Sequence, residues 1–223
     1  MALSDFFSGR RKERPDGAAG VVYPTKVLGC FLTALARRSD PMLLDLGPVV
    51  GTNVTFFGEA LGCKVLVEDL LTDVERHASE GTLDALPALF DVRIPHPSDS
   101  IDGILCWDVF DYLDRPASER LVRQLTRVLR PGGVVLAIFS TAAPRHDRPS
   151  YTRHVVIDRT HLEYRAYAGT RARQPPLVNR DVQRLFEPLR ITENFLFTTN
   201  VREVMFRKPD GGPAAGAVET PGS

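Results

Sequence analysis

The stretch LLDLGPVVG, residues 43–51, decides the fold. An apolar run from Met42 takes an acid at Asp45 and closes on Gly47. Helical spacing then runs from about Asn53 to Leu61, with Gly62 placed to cap its C-terminus. A short buried strand, a glycine-bounded turn and a helix form the opening unit of a parallel sheet covered on both faces.

Outward from that unit the same alternation continues. Downstream, Cys63 to Val67 reads as a strand ending at Glu68-Asp69, and Leu70 to Leu89 as a helix broken near Gly81. A weak strand is expected at Phe90 to Arg93 and a stronger one at Ile101 to Trp107. From Ala117 to Leu129 the apolar residues Leu121, Val122, Leu125, Val128 and Leu129 form one helical stripe. Pro131-Gly132-Gly133 stops that helix, and a strand follows to Ser140. Upstream, Val27, Leu28, Phe31, Leu32 and Leu35 mark a helix over about Thr25 to Arg38, with Thr25 as N-cap. After Ser140 the chain turns polar and arginine-rich, with a hairpin in Val155 to Ala168 and a helix at about Asn179 to Phe186. Strands at Arg190 to Phe197 and Val201 to Lys208 are separated only by Thr198-Thr199-Asn200, so they should pair antiparallel. The expected fold is α/β: a doubly wound, Rossmann-like sheet of seven strands, mostly parallel, with a C-terminal antiparallel hairpin. Residues 1–20 read as a flexible arm, 21–208 as the domain with 141–178 a cap segment, and the Gly/Pro/Ala-rich 209–223 as a disordered tail.

Composition narrows the function classes. The 223 residues are 43% apolar and 25% charged, with 28 Lys plus Arg against 28 Asp plus Glu. No global field draws nucleic acid or anionic lipid, and no apolar run is long enough to cross a bilayer. Charges throughout Met1 to Asp16 argue against a secretory leader. Cys30, Cys63 and Cys106 lie far apart without zinc spacing, so reduced thiols in a cytoplasmic protein, and no metal, are expected. A P-loop needs GxxxxGK[ST], whereas Thr52 follows Gly51 directly. A nicotinamide fingerprint needs GxGxxG, and Gly47-x-x-x-Gly51 stands instead.

Four blocks in order carry a resemblance: LLDLGPVVG (43–51), LGCKVLVEDL (61–70), IPHPSDSIDGILCWDVFDYL (94–113) and LTRVLRPGGVVLAIF (125–139). Together they resemble the class I S-adenosylmethionine-dependent methyltransferases, and most closely their small bacterial branch, over about Leu43 to Lys208. The resemblance implies S-adenosyl-L-methionine as cofactor and methyl transfer as reaction. Such a displacement asks the protein to align donor and acceptor rather than to supply a fixed triad. It also implies cofactor contacts. Gly47 and Gly51 would let the main chain approach the cofactor, and Asp45 would orient its amino-acid end. Asp69 or, by a different count, Glu68 would accept from the ribose hydroxyls. Asp91 would meet the adenine, and Asp108 would face the methionine end and the acceptor. Trp107, Phe110 and Tyr112 are candidates for an apolar wall, and Asp108, His96 and His161 for a general base.

One departure is Val49, preceded by Pro48, where the family has glycine. Either the main chain there is shifted or the pocket is compromised, and the second option supports an alternative reading as a non-catalytic cofactor-sensing or partner-binding scaffold. Nine arginines between Arg145 and Arg184 read as a solvated face before they read as an anion grip. Zero net charge, few added elements and the absence of a basic aromatic platform point to a small-molecule acceptor and away from nucleic acid.

Overall fold

The computed structural model describes residues 20–143 and 149–210. The expected arm and tail lie almost wholly outside them. Nine strands and six helices are described: β1 (Val21–Pro24), α1 (Val27–Leu35), β2 (Met42–Asp45), α2 (Gly51–Leu61), β3 (Lys64–Val67), α3 (Leu70–Glu80), α4 (Leu86–Arg93), β4 (Ile101–Trp107), α5 (Arg115–Val128), β5 (Leu129–Ser140), β6 (Ser150–Val156), β7 (His161–Ala168), α6 (Asn179–Leu185), β8 (Arg190–Phe197) and β9 (Val201–Arg207). Short 3-10 turns sit at Leu83–Ala85 and Val109–Tyr112.

The main sheet runs β3-β2-β4-β5-β9-β8. Its first four strands are parallel, and β9 pairs antiparallel with both β5 and β8. The β8–β9 turn is the expected one, with Asn200 in the left-handed conformation that asparagine tolerates. Every residue of the central β4 is buried, as a strand covered on both faces requires. On one face α1 supplies Leu28, Phe31 and Leu35 against Leu43, Leu105 and Leu136. Gly103 admits this close approach, because a β-carbon there would lie 2.8 Å from Leu35 Cδ2. The other face is covered by α3 to α6, where Val74, Phe90, Leu121, Leu125 and Phe186 meet Ile104, Cys106, Val135 and Phe206.

The α/β class, the doubly wound architecture and the antiparallel end are as expected, and among the described residues the main sheet has six strands where seven were expected. Phe90 to Arg93 is the last turn of α4. Leu86, Phe90 and Ile94 recur every fourth residue, and that stripe buries against α5. Burying it as a helix leaves β3 as the outer strand.

A second sheet, β1-β7-β6, stands over the carboxyl edge of the first. It contains the expected hairpin, which begins earlier than Val155, at Ser150. Asn53 on α2 pins it: its amide nitrogen donates to the His154 carbonyl at 2.8 Å and its oxygen accepts from Val156 N–H at 2.8 Å. Tyr112 Oη donates to the Ser150 carbonyl, also at 2.8 Å. At the opposite end of the sheet Asp102 accepts from Met42 N–H and pairs with Arg130, a strand-end role.

Candidate functional site

Parallel strands of one doubly wound sheet bring their carboxyl ends to one edge, and the chemistry-bearing residues collect there. Asp45 closes β2 and is buried. Its Oδ1 accepts from Gly47 N–H at 2.9 Å and from Trp107 Nε1–H at 2.7 Å. Burial pushes its pKa up to about 6, against the opposing pull of those two donors. Trp107, the chain's single tryptophan, ends β4 with φ of 47°, the left-handed region that a bulky residue rarely adopts. Its indole lies against Gly47, where a β-carbon would come within 2.5 Å of Cδ1, and stacks on the His154 ring at 5.2 Å and 3°. In the same turn a β-carbon on Gly51 would meet nothing within 4 Å. Val49 is 63% exposed and so is not packed into the protein interior.

Asp108, Asp111, His154, Tyr164 and Arg173 line a cavity of about 270 Å³, which also reaches Ile138 and Val201 on β5 and β9. Arg173 Nη2 donates to Asp108 Oδ2 at 3.0 Å, and its Nε lies 3.4 Å from Asp111 Oδ2. Burial works against the guanidinium charge, but Asp108, Tyr112 and Asp111 more than offset it and hold Arg173 protonated. Burial, reinforced by the neighbouring Asp108, pushes the Asp111 carboxyl well above the usual range. The His154 imidazole is held below its ordinary value by burial and by Arg173, against the pull of Asp108. His154 Nδ1 and Asp108 Oδ1 lie 3.9 Å apart, both buried and neither with a hydrogen-bond partner among the described residues.

The structure gathers Asp45, Gly47, Gly51 and Asp108 at this edge. Asp69 and Glu68 stand next to it, already engaged. Asp69 caps α3, accepting from Thr72 N–H at 3.0 Å and Thr72 Oγ1–H at 2.7 Å. Glu68 pairs with Arg93 at 3.0 Å and stands 3.8 Å from His96 Nε2. Three expectations are corrected. Asp91 ends no strand: it lies on α4, where Arg120 and Gln124 take its carboxylate at the surface. His96 faces Glu68 rather than the Asp108 cavity. His161 sits at the start of β7 with its ring exposed and Nδ1 on Asp158 at 3.1 Å. Of the expected wall, Trp107 alone touches the glycine turn. Phe110 packs on Phe139 and Phe186, and Tyr112 on Tyr151.

Sequence reasoning passed over Asp111 and His154, and weighed Arg173 only as one of nine arginines on a solvated face or an anion grip. His154 and Arg173 lie in the polar cap, where nothing in spacing or pattern separates them from surface residues. Of the arginines there, Arg173 reaches Asp108, while Arg165 pairs locally with Glu163 and Arg159 reaches Thr33. Arg145 and Arg148 lie outside the described residues.

Residues 24–187 match the model of a methyltransferase-domain family. The chain therefore belongs to that family, and with it to the class I S-adenosylmethionine-dependent methyltransferases. Among characterised proteins it is similar to the sarcosine/dimethylglycine N-methyltransferase of Halorhodospira halochloris, 28% identical over 142 residues, covering 59% of this chain and 49% of that protein. It thus spans about half the length of that relative. Among solved structures it is similar to the 1,6-didemethyltoxoflavin-N1-methyltransferase of Burkholderia thailandensis, determined with 1,6-didemethyltoxoflavin and S-adenosylhomocysteine bound. That likeness has 16% identity, a TM-score of 0.50 and coverage of 83% of this chain and 78% of the other. A SAM-dependent methyltransferase from Methanosarcina mazei gives 12% identity, a TM-score of 0.50, and 83% and 98% coverage. These likenesses agree with the fold described above. No helix among the described residues is long and apolar enough to cross a membrane, and no group of three or more ligating side chains is placed to hold a metal.

Proposed function

We propose that this chain binds S-adenosylmethionine at the carboxyl edge of β2 and transfers its methyl group to a small molecule held against Asp108. The observation that carries the reading is Asp45, a buried carboxylate anchored by Gly47 N–H at the mouth of an otherwise bare turn. When bound, the cofactor supplies an activated methyl group. Asp45 would hold its amino group, Gly51 and, with the Trp107 indole moved aside, Gly47 would offer bare main chain, and Glu68 or Asp69 would receive its ribose hydroxyls. The Trp107 indole N–H now occupies one of the positions on Asp45 Oδ1 that an amino group would take, so binding exchanges one donor for another there. The family match, rather than the turn itself, favours an enzyme over a non-catalytic scaffold. The relatives that methylate sarcosine, dimethylglycine or didemethyltoxoflavin lend support to a small acceptor.

Because Trp107 is the single tryptophan, its fluorescence reports this exchange directly. Titration with S-adenosylhomocysteine should give a saturable emission change, and Gly47→Arg, which fills the turn, should abolish it. An unchanged emission spectrum at millimolar ligand, with no heat of binding by calorimetry, would refute the proposal.

A further inference from the structure

Three buried polar atoms of residues lining the cavity have no hydrogen-bond partner among the described residues: Asp108 Oδ1, His154 Nδ1 and Arg173 Nε. Asp108 Oδ1 and His154 Nδ1 are 3.9 Å apart, on residues only 2% and 3% exposed. Leaving such atoms unpaired costs about 1–3 kcal/mol each, and native sites that carry them are waiting for a ligand or a proton. The gap is too long for a direct hydrogen bond, yet shorter than two O–H···O lengths of about 2.8 Å, so one small polar group can lie within reach of both. A hydroxyl there has one proton to give, and an unprotonated Nδ1 can take it.

Charge decides whether the bound group is cationic. Arg173 already pairs with the other oxygen of Asp108 at 3.0 Å, so the charge of that carboxylate is met before a ligand arrives. Asp108 therefore offers little unmet negative charge to an ammonium. Rings and aliphatic side chains make up part of the rest of the wall, with Ser140, Thr152, Thr199 and Asn200 among them. Tyr164 meets the His154 ring edge-on at 4.7 Å, Tyr23 meets Tyr164 at 5.1 Å, and Ile138 and Val201 close the far side. A volume of about 270 Å³ lies just below the usual range for small-molecule sites and suits one or two rings.

We infer that this cavity is the acceptor subsite and takes a neutral aromatic compound bearing an ionisable hydroxyl, which docks between Asp108 Oδ1 and His154 Nδ1. His154 is the proton acceptor. The ligand O–H bond breaks, an Nδ1–H bond forms, and the products are a ligand oxyanion and an imidazolium. Asp108 faces the imidazolium, and the unpartnered Nε–H of Arg173 stands in the same cluster to meet the oxyanion. The groups facing His154 are the Trp107 ring from β4, Asp108 with Asp111 behind it, Tyr164 from β7 and Arg173. Asn53 of α2 holds its backbone. This inference rests on the methyltransferase reading for the fate of the oxyanion, but the binding and ionisation stand on the cavity alone.

The test uses 4-nitrophenol, whose oxyanion absorbs visible light. At a pH where the free probe is mostly protonated, adding the full chain should produce a saturable rise in oxyanion absorbance. Its apparent affinity should fall tenfold or more in His154→Gln and in Asp108→Asn, with circular dichroism confirming that each variant folds. The wild-type titration stands by itself if either variant fails to fold. No saturable rise in the wild type, or a rise undiminished in a folded His154→Gln, overturns the inference. A parallel titration with S-adenosylhomocysteine separates the two proposals. Binding of it without 4-nitrophenol sinks the acceptor subsite and leaves the cofactor reading standing. The reverse keeps the subsite and sinks the cofactor reading.

Discussion

Asp45 and His154 sit on either side of Trp107, and burial acts on them in opposite senses. For Asp45 the folded pKa, about 6, lies above the ordinary 3.8, so the folded state holds the proton more tightly than the unfolded chain. Its contribution to stability is complete below pH 3.8 and is lost as pH rises through 6. Asp45→Asn keeps an oxygen to accept from Gly47 and Trp107 while removing the charge. It should be more stable than the wild type above pH 6, and the gap should close on acidification towards pH 4. Urea unfolding across that range measures the difference, and a pH-independent gap would contradict the burial of an ionised carboxylate. His154 has the reverse sign. Its pKa is lowered by burial, so its neutral form stabilises the fold, and stability is lost as pH falls below the ordinary 6.5. Sequence singled out Asp45 by its place at a strand end before a glycine. It could not single out His154, whose meaning comes from the atoms it meets.

The second sheet is held over the first by individual polar contacts. Asn53 bridges α2 to β6 with two 2.8 Å hydrogen bonds, and the Glu203 carboxylate of β9 accepts from Thr25 Oγ1–H and from the N–H groups of Lys26 and Val27 at the start of α1. Thr25 Oγ1 also accepts from Leu28 N–H at 3.3 Å, although the N-cap position of α1 falls one residue later than expected, on Lys26. Asn53→Ala would strand a buried carbonyl and a buried N–H, at a cost of about 1–3 kcal/mol for each. Amide exchange over residues 150–156 should accelerate while β4 and β5 stay protected. If the main sheet loosened equally, the hairpin would belong to the central cooperative unit instead. Element boundaries were legible wherever pattern and punctuation agreed, as for β4, α2 with Gly62, and the β8–β9 hairpin. They were not legible at Phe90 to Arg93, because four residues carry no period and the docking of α4 on α5 settles their conformation.

At the scale of the molecule, a ligand that binds only the folded chain must stabilise it. S-adenosylhomocysteine at about a hundred times its Kd should add about 2.7 kcal/mol to unfolding, and a domain of this size should gain about 2–4 °C in Tm per kcal/mol. Differential scanning calorimetry reads this, and Gly47→Arg should erase the gain. The same view separates the two sources of the site. Alternating apolar runs, glycine turns and strand-end acids lie within single segments, so sequence alone determined the doubly wound class, the turn at Gly47 and the placement of Asp45 and Asp108. The cluster of Asp108, Asp111, His154 and Arg173 spans residues 65 positions apart and forms only when the cap folds back over the sheet edge. Tertiary structure alone decided it, because hydrogen bonding and desolvation depend on which atoms meet in space, and no local pattern records that meeting.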